Sequence, residues 1–523
     1  MKNYTQHFNS VPQNEPLPMK DMVKNAAGGY VYKINPWKRL NRFLILGTEN
    51  STFYEGSKKL TLENAQIVKD LVKTNGKAVV DNIINVSDKG LAIKNDASIF
   101  ALAIASIHGS DQVRKYAFDN LNKVCRTGTH LFQFAEAREA LNGGWGRGMR
   151  DAVANWYLEM PLQNMLYQVL KYRQREGWSH RDLLRLSHPY GNDTQNSVFQ
   201  AICKKDWENL CSINPLIAGF VAVQKATEEK EVARLIETYF LPREFIPTQF
   251  LTSPFVWNAL LATTPLTGLI RNLGNISKAG LIKPLSDSAR YVIQRLTDES
   301  AIKKARIHPF SVLIASKTYA KGSSFRGSGS WAVNNKIVEA LDETFEKSFV
   351  NATPTNKRHI LGVDVSGSMS WGGSEIITPA ESAAAMALIT ARLEKESYIM
   401  GFSHVFKDLG ITAKDSLNDV LSKTSNQNFG GTDTSVAINW AIQNHIETDV
   451  FVIYTDNETW AGKGHTSVHM EAYRRRFGTK TKLAVVAFTA TNRSIADQED
   501  ALSMDFVGLS SDLPKALSAF VDE

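Results

Sequence analysis

The sequence predicts a mainly α-helical protein that also contains one α/β domain, and three observations support this fold class. Amphipathic helical patterns follow one another from about residue 96 to residue 350, with no strand pattern between them. After residue 357, short apolar strands alternate with helical patterns, as in a parallel sheet covered by helices on both faces. A chain of 523 residues is too long for one hydrophobic core, so we place two domains at 1–356 and 357–523.

The helices predicted for the first domain are short, and loops rich in Gly, Pro, Asn and Ser separate them. Apolar residues recur at spacings of three and four in segments such as DASIFALAIASIHG, THLFQFAEAREALNG and PLQNMLYQVLKYRQREG. Successive helices of this kind pack in pairs and form a solenoid. No strict period identifies a known repeat. The curvature of a solenoid produces a concave face, and enough repeats would bend it into an arc or ring.

The second domain begins after the loop NATPTNKRH and has the pattern of a doubly wound sheet. Its predicted strands are 358–363, 397–402, 449–455, 482–488 and 505–509, and its predicted helices are 381–396, 434–445, 468–477 and 512–521. The strands are apolar along their whole length, so both faces of the sheet should lie beneath helices.

Five residues of this domain carry oxygen atoms that suit a hard cation, and the two acids among them end predicted strands. They are the acids Asp364 and Asp456 and the hydroxyl residues Ser366, Ser368 and Thr432, in the segments DVSGS, VIYTD and GGTDT. An open α/β sheet binds ligands at the carboxyl ends of its strands. Oxygen donors suit a hard divalent cation, so we expect Mg²⁺ first, with Ca²⁺ or Mn²⁺ as alternatives. The other interpretation is that DVSGS forms only a turn and a helix cap.

The net charge of +7 is unevenly divided between the two predicted domains. Residues 357–523 contain 15 Lys and Arg against 21 Asp and Glu, whereas residues 1–356 contain 45 against 32. A basic surplus concentrated in the helical domain favours a polyanionic partner there, because neutralising phosphates releases condensed counterions. The alternative is a basic surface that is merely solvated.

The segment LKYRQREGWSHRDLLRLSHP has the pattern of a nucleic-acid contact. Ser179 followed by Asp182 resembles a capping box at a helix start. Arg181, Arg185 and His188 then fall at spacings of four and three, so they share one helical face. Planar cationic side chains of this kind can bind phosphates through two hydrogen bonds or stack on bases. The alternatives are a solvated helix face and, for His188, a cap at the helix end.

Further cations lie close to this helix in the sequence. Lys171 comes shortly before it, followed by Arg173 and Arg175. Arg147 and Arg150, beside a tryptophan in GGWGRGMRD, form a second and weaker cationic patch. The density of these residues predicts a nucleic-acid-binding surface on the helical domain.

These segments together resemble the Ro ribonucleoprotein autoantigens, whose helical region is called the TROVE domain. The resemblance rests on AGGYVYKINPWKRLNRFLILGTE at 27–49, CRTGTHLFQF at 125–134, WGRGMRDAVANWY at 145–157, GWSHRDLLRLSHP at 177–189, REFIPTQFLTSPFVWNALL at 243–261, ARIHPFSVLIASKTYAKG at 305–322 and YTDNETWAG at 454–462. The cation ligands likewise resemble the metal-ion-dependent adhesion site (MIDAS) of a von Willebrand factor A domain. The chain is therefore identified as a bacterial or phage-type member of the Ro family.

The resemblance implies a fold and a function. The fold is a ring-like α-solenoid of HEAT-like repeats, closed by a Rossmann-like von Willebrand A domain. The function is RNA quality control as a ribonucleoprotein, with small noncoding Y-like RNA on the basic outer surface and single-stranded ends of misfolded RNA in a central hole. Lys171 and His188 match positions implicated in Y RNA contact. A tethered exoribonuclease such as polynucleotide phosphorylase and a monomeric state are also implied.

Two other functions stay open on the residues themselves. One is a metal-dependent protein-interaction module of the von Willebrand A type in which RNA is incidental. The other is a metal-dependent hydrolase, but no His cluster, P-loop or nucleophile with a base lies near the cation ligands, so we expect no enzyme activity. The sequence has no long apolar run or signal sequence, and its three cysteines lack zinc spacing. We therefore expect a cytoplasmic protein with reduced thiols and no membrane partner.

Overall fold

The computed structural model describes two compact units. The described residues are 11–25, 27–33, 35–46, 65–89, 95–175, 177–305, 307, 309–323, 329–351, 354–370, 377–425, 431–462, 464–488, 493–507, 517, 520 and 521. The helical unit comprises residues 72–88 and 98–351, and the α/β unit comprises the described residues up to 71, those of 89–97 and those after 351. The predicted division after residue 356 lies near the unit boundary at 351, but the N-terminal residues group with the α/β unit, which we did not predict.

The described part of the chain begins with short strands and continues with helices. The N-terminal elements are β1 (Met22–Lys24), β2 (Tyr30–Lys33) and α1 (Pro36–Leu46). The helices that follow are α2 (Gln66–Asp88), α3 (Asp96–His108), α4 (Asp111–Asp119), α5 (Leu121–Val124), α6 (Gly128–Ala140), α7 (Arg147–Leu158), α8 (Leu162–Lys171), α9 (His180–Ser187), α10 (Asp193–Lys204), α11 (Pro215–Lys225), α12 (Glu229–Tyr239), α13 (Pro254–Thr263), α14 (Leu266–Lys278), α15 (Asp287–Leu296), α16 (Glu299–Lys304), α17 (Pro309–Ala320) and α18 (Asn335–Ser348). Single 3₁₀ turns occupy Glu208–Leu210, Arg243–Phe245, Thr248–Thr252 and Phe349–Asn351.

Helices of the helical unit pack mainly against their neighbours in the chain. Close pairs include α9 with α10, α12 with α13 and α17 with α18, which agrees with the predicted stacking of short helices. Large aromatic side chains such as Trp156, Tyr157 and Trp257 are almost fully buried between the helices. Burial of one large apolar side chain stabilises a fold by roughly 1.5–3 kcal/mol, so these aromatic residues contribute to the stability of the unit.

One small element interrupts the helical pattern. The strands β3 (Gln174–Arg175) and β4 (Trp178–Ser179) form an antiparallel hairpin between α8 and α9. The sequence did not predict it, because two-residue strands are too short to show an alternating pattern. The hairpin sets the start of α9, the predicted RNA-contact helix.

The α/β unit contains the predicted doubly wound sheet. Its strands are β5 (His359–Asp364), β6 (Ser397–Phe402), β7 (Phe406–Asp408), β8 (Val450–Thr455), β9 (Lys482–Ala487), β10 (Arg493–Ser494) and β11 (Ser503–Val507). Its helices are α19 (Pro379–Leu393), α20 (Leu417–Ser425), α21 (Val436–Gln443) and α22 (Thr466–Phe477), with a 3₁₀ turn at Gly367–Ser370. The main sheet has the order β11-β9-β8-β5-β6-β7 and is parallel except for β7. Every residue of β5 and β8 is buried, which explains their continuous apolar sequence.

The structure confirms the five predicted strands to within two residues and adds elements that the sequence did not predict. The additions are the antiparallel edge strand β7, the helix α20 and a second sheet in which β2 pairs with both β1 and β10. The helix predicted at 512–521 falls mostly outside the described residues. Among the residues that the structure describes, no helix is both long and apolar enough to cross a membrane.

Candidate metal centre and nucleic-acid interface

The two predicted acidic ligands lie at the ends of neighbouring strands. Asp364 is the last residue of β5, and Asp456 directly follows β8, which pairs with β5 in parallel. Both carboxylates are buried. Loss of solvation raises the pKa of both groups, and the charge of Asp456 raises the pKa of Asp364 further. Two such acids destabilise the fold in their ionised form unless a positive charge compensates them.

Hydroxyl groups surround these acids. The backbone N–H of Ser366 donates to Asp364 Oδ1 at 2.9 Å, and Thr455 Oγ1 donates to Asp364 Oδ2 at 2.9 Å. The Oγ atoms of Ser366 and Ser368 lie 3.0 Å apart, and the Ser368 side chain hydrogen-bonds Asp456. The segment DVSGS thus makes the turn that we considered as an alternative, and it also brings both serine hydroxyls to the acids.

Thr432 is positioned through its backbone. Its carbonyl oxygen accepts hydrogen bonds from the N–H groups of Trp460 at 2.9 Å and Ala461 at 3.0 Å, and from Thr459 Oγ1 at 3.1 Å. These residues belong to the loop that follows Asp456, so the Thr432 segment is fastened to the loop that carries the second acid. Thr432 itself is buried.

The residues of this centre fit a hard divalent cation. All candidate donors are oxygens, and the buried acids need a compensating positive charge. Among the described residues there is no group of three or more His, Cys, Asp or Glu arranged to hold a metal ion. Hydroxyl groups would therefore supply much of the coordination. A cation held by Asp364, Asp456 and the serines would offer positive charge to an acidic ligand.

An N-terminal segment, defined here as residues 11–33, contacts the loop that carries Asp456. Asn25 Nδ2 donates to the Thr459 carbonyl at 2.7 Å, and the Ala27 N–H donates to Glu458 Oε2 at 3.0 Å. A Cβ on Gly29 would lie 2.0 Å from the Thr459 carbonyl oxygen, so only glycine permits this approach. The Gly29 N–H also donates to Asn25 Oδ1 at 2.7 Å.

Further bonds fasten the N-terminal segment to the same unit. They are the Gln13 N–H to the Gly462 carbonyl at 2.8 Å, His465 Nε2 with the Glu15 carbonyl at 2.9 Å, Tyr32 OH with Ser467 Oγ at 2.6 Å, and Lys20 Nζ to Asp497 at 3.0 Å. Our sequence reasoning missed these residues, because contacts more than 400 positions apart leave no local pattern. The glycine pair in AGGY was the one available signal.

The predicted RNA-contact helix is present as α9. Ser179 and Asp182 form the predicted capping box, with the Asp182 carboxylate accepting from the Ser179 N–H at 3.0 Å. Arg181 and Arg185 are exposed. His188 caps the helix end in a left-handed conformation, with φ of 48°, and its side chain is exposed. Arg181 and Arg185 therefore lie on the helix as predicted, whereas His188 lies beyond its last residue and forms the helix-end cap that was the alternative for it.

Lys171 is less available than the sequence suggested. Its side chain is only 17% exposed, and Nζ lies 3.4 Å from Glu244 Oε1. The ammonium group also donates to Tyr167 OH at 3.1 Å and lies over the ring of Tyr172 at 5.1 Å. Burial acts to lower the pKa of Lys171, but the Tyr167 hydrogen bond and the Glu244 charge outweigh burial and raise it. The lysine is therefore a charged group in a fixed position.

The second cationic patch lies beside the first. The ring of Trp145, just before α7, packs against the ring of Trp178 in β4, with centroids 5.5 Å apart. Arg147 and Arg150 are both exposed at the start of α7, and Arg147 lies 3.6 Å from Asp151. The tryptophan pair thus brings together two cationic segments that are separate in the sequence.

The first residue of α9, His180, is buried. His180 stacks with Trp156 at a centroid distance of 6.3 Å, and its Nδ1 lies 2.7 Å from Tyr157 OH. Burial lowers the pKa of His180 to about 3, so the ring is neutral. Gly128 lies against the same ring, because a Cβ there would be 2.8 Å from His180 Nε2. His180 is therefore a packing residue in the first turn of α9, the helix that carries the exposed Arg181 and Arg185.

The fold and the oxygen-donor centre define a protein that joins a helical unit to a von Willebrand factor A-type domain. The family model of the Ro60 vWA domain matches residues 358–521, and the TROVE domain model matches 23–231 and 241–321. The chain belongs to the Ro60 family.

Relatives of known name support this assignment along the whole chain. The RNA-binding protein RO60 of Deinococcus radiodurans is 39% identical, with 99% of each chain covered. The protein of the same name from Caenorhabditis elegans is 32% identical over 98% of this chain and 92% of its own. The crystal structure of the Deinococcus radiodurans RO (RSR) protein matches with a TM-score of 0.77 and 38% identity, covering 93% of this chain and 99% of that one.

Proposed function

We propose that this protein binds RNA through a cationic surface, defined here by Arg147, Arg150, Arg181 and Arg185. The observation that carries the proposal is the exposure of these four side chains around the packed tryptophans Trp145 and Trp178. Guanidinium groups bind phosphates in two-point contacts, and relatives across the whole chain are named RNA-binding proteins. Such binding reads the shape and the backbone of an RNA rather than its base sequence.

The finer proposal concerns the RNA and its use. A structured, Y-like noncoding RNA would occupy the cationic surface, and unpaired ends of misfolded RNA would enter a central hole of a ring, as part of RNA quality control. An exoribonuclease such as polynucleotide phosphorylase would reach its substrates through the bound RNA. The proposed role is binding rather than catalysis, by a monomer in the cytoplasm.

The test removes two of the proposed phosphate contacts by replacing exposed side chains, which leaves the fold intact. Arg181→Gln with Arg185→Gln is compared with Lys303→Gln with Lys304→Gln, which removes the same charge from the exposed end of α16. Affinity for a fluorescent RNA hairpin is measured by anisotropy at several salt concentrations. We expect the arginine pair to weaken binding at least tenfold and to lower the salt slope by about two, since each phosphate contact contributes about one unit.

Two results would contradict the proposed function. One is an unchanged affinity and salt slope in the arginine variant. The other is an equal loss in the lysine variant, because equal losses would mean that total charge alone governs binding.

We also propose that the oxygen-donor centre binds a divalent cation, Mg²⁺ first, and through it an acidic group of a protein partner. The exposed Trp460 supports this second function. Its side chain is 44% exposed, and its backbone N–H donates to the Thr432 carbonyl. An exposed tryptophan beside a cation suits a protein interface, where aromatic residues concentrate binding energy. A Mg²⁺-dependent complex with a protein that survives ribonuclease treatment would support this function, and its absence with and without Mg²⁺ would contradict it.

A further inference from the structure

A groove of about 710 Å³ lies beside the cationic surface. Residues from the end of α8 to the first turn of α9 line one side, and residues from α10 to α11 line the other. Its volume is in the range that holds a small molecule or one nucleotide. Arg181 belongs both to the groove and to the cationic surface. An RNA bound to the cationic surface therefore passes the opening of the groove.

Aromatic rings and a fixed guanidinium group form part of the groove wall. Trp207 is half-buried and packs edge-on against the buried Phe220, with centroids 6.2 Å apart. The guanidinium carbon of Arg173 lies 5.4 Å from the Phe220 ring centre. Arg173 Nη1 also donates to Gln224 Oε1 at 3.4 Å, and Gln224 Nε2 donates to the Phe245 carbonyl at 2.8 Å. A planar ring entering the groove would meet flat partners that are already oriented.

The acids of the groove have local partners. Glu208 forms an ion pair with Lys225 at 2.7 Å. Asp182 caps the start of α9, and Asp206 accepts a hydrogen bond from the Glu208 N–H at 3.2 Å.

Three groove cations remain uncompensated. Within the described parts of the chain, none of Arg173, Arg181 and Lys205 forms an ion pair, whereas Lys225 pairs with Glu208. Lys205 is moreover held in a left-handed conformation, with φ of 59°, as the C-cap of α10. The groove therefore combines an apolar ring surface with positive charge that is available to an anion.

We propose that this groove binds one unpaired nucleotide of the RNA, with its base against Trp207 and its phosphate at Arg181 and Lys205. The inference rests on the proposed RNA binding and adds a subsite to it. Stacking on an aromatic ring tolerates any base, whereas a paired base cannot leave its helix without loss of stacking. The subsite would therefore select RNA that carries a bulged or unpaired nucleotide beside a helix. The flat rings favour a nucleotide over an acidic peptide, which would use the cations alone.

The test uses the full-length protein and two fluorescein-labelled hairpins that differ by one bulged uridine. Trp207→Leu keeps apolar volume but removes the ring, and Lys205→Asn removes the charge while keeping a residue that tolerates left-handed φ. Lys204→Gln is the matched control, because this exposed neighbour lies outside the groove lining.

We expect wild type to bind the bulged hairpin more tightly than the fully paired one. Trp207→Leu should weaken the bulged complex at least fivefold and leave the paired one unchanged. Lys205→Asn should lower the salt slope of the bulged complex by about one.

Several outcomes would overturn the subsite. They are equal affinity of wild type for both hairpins, equal weakening of both complexes by the groove variants, or an effect of Lys204→Gln as large as that of Lys205→Asn. A labelled hexaglutamate peptide that binds wild type and Trp207→Leu but not Lys205→Asn, with RNA binding unchanged in both variants, would overturn it in favour of a peptide site.

A second measurement covers the case in which Trp207→Leu fails to fold. A 4-thiouridine at the bulge should then crosslink in wild type to Trp207 or Phe220, as mapped by mass spectrometry, and crosslinks elsewhere only would refute the subsite. If wild type binds neither hairpin, the proposed function fails, whereas binding of both hairpins with equal affinity leaves that function intact and removes only the subsite.

Discussion

At the scale of single residues, the proposed cation site depends on two buried acids. Asp364 and Asp456 follow adjacent strands, and their environment raises the pKa of both. A bound divalent cation would compensate both charges, and a ligand that binds only the folded state raises its stability. The acids, rather than the hydroxyls, should therefore control cation affinity.

Asp364→Ala combined with Asp456→Ala should abolish Mg²⁺ binding, because it removes the formal charges of the centre. Isothermal titration calorimetry measures the loss, and the rise in melting temperature with Mg²⁺ should disappear with it. RNA affinity should stay within twofold of wild type, since the cationic surface belongs to the other unit. Retained Mg²⁺ binding, or a collapse of RNA affinity in a folded variant, would contradict this division of roles.

The neutral His180 should make stability depend on pH. Its pKa is about 3 when folded and 6.5 in the unfolded chain, so only the unfolded chain takes up a proton between these values. Stability is therefore lost as pH falls below 6.5. One such group lowers the free energy of unfolding by about 1.4 kcal/mol at pH 5.5 relative to pH 7.5.

His180→Asn is the matching variant, because asparagine places an amide near the position of Nδ1, which contacts Tyr157. Urea unfolding followed by tryptophan fluorescence at the two pH values should show a smaller pH effect in the variant. An identical pH effect in both proteins would mean that His180 is protonated in the folded state.

At the scale of elements, the N-terminal segment holds the loop that carries Asp456. Asn25 bonds the Thr459 carbonyl and the Gly29 N–H, and the Thr459 hydroxyl bonds the Thr432 carbonyl. The loop that carries Asp456 is therefore held between this segment and Thr432. Removal of either contact should loosen the ligand geometry.

Asn25→Ala should weaken Mg²⁺ binding about fivefold to tenfold, because a buried carbonyl that loses its donor costs about 1–3 kcal/mol. Titration calorimetry measures the affinity. Lys20→Gln is the control on the same segment, since Lys20 contacts Asp497 and Glu499 and not this loop. Equal Mg²⁺ affinities in the two variants would show that the segment does not support the centre.

The elements differ in whether the sequence predicted them. The buried strands β5 and β8 and the capping box of α9 agree with prediction, because each follows from residues close together in the chain. The sequence predicted neither the hairpin β3–β4 nor the pairing of β2 with β10, because they depend on short strands and distant partners. The partial burial of Lys171 against Glu244 was likewise invisible in the sequence.

At the scale of the whole molecule, the proposed function requires two kinds of RNA contact. The cationic surface would hold a structured RNA, and a hole would admit only unpaired strands, since an A-form duplex is too wide for a narrow opening. The two contacts should therefore respond differently to the form of the RNA end.

A hairpin with a single-stranded 3′ tail should bind at least fivefold more tightly than the blunt hairpin. Pairing the tail with a complementary strand should remove that gain and leave the blunt-hairpin affinity. Competition binding at near-physiological salt measures all three affinities. A paired tail that binds as tightly as the free tail would refute entry of single strands, because backbone charge alone would then explain the gain.

The sequence by itself determined the two fold classes, the order of the candidate metal ligands and the family, since these depend on periodicity and on motifs that are contiguous in the chain. Only the tertiary structure decided that Trp145 packs on Trp178, that Lys171 is held beside an acid and that an N-terminal segment bonds to the loop that carries Asp456. Such contacts form between residues far apart in sequence, and their free energy comes from burial and pairing that exist only after the chain has folded.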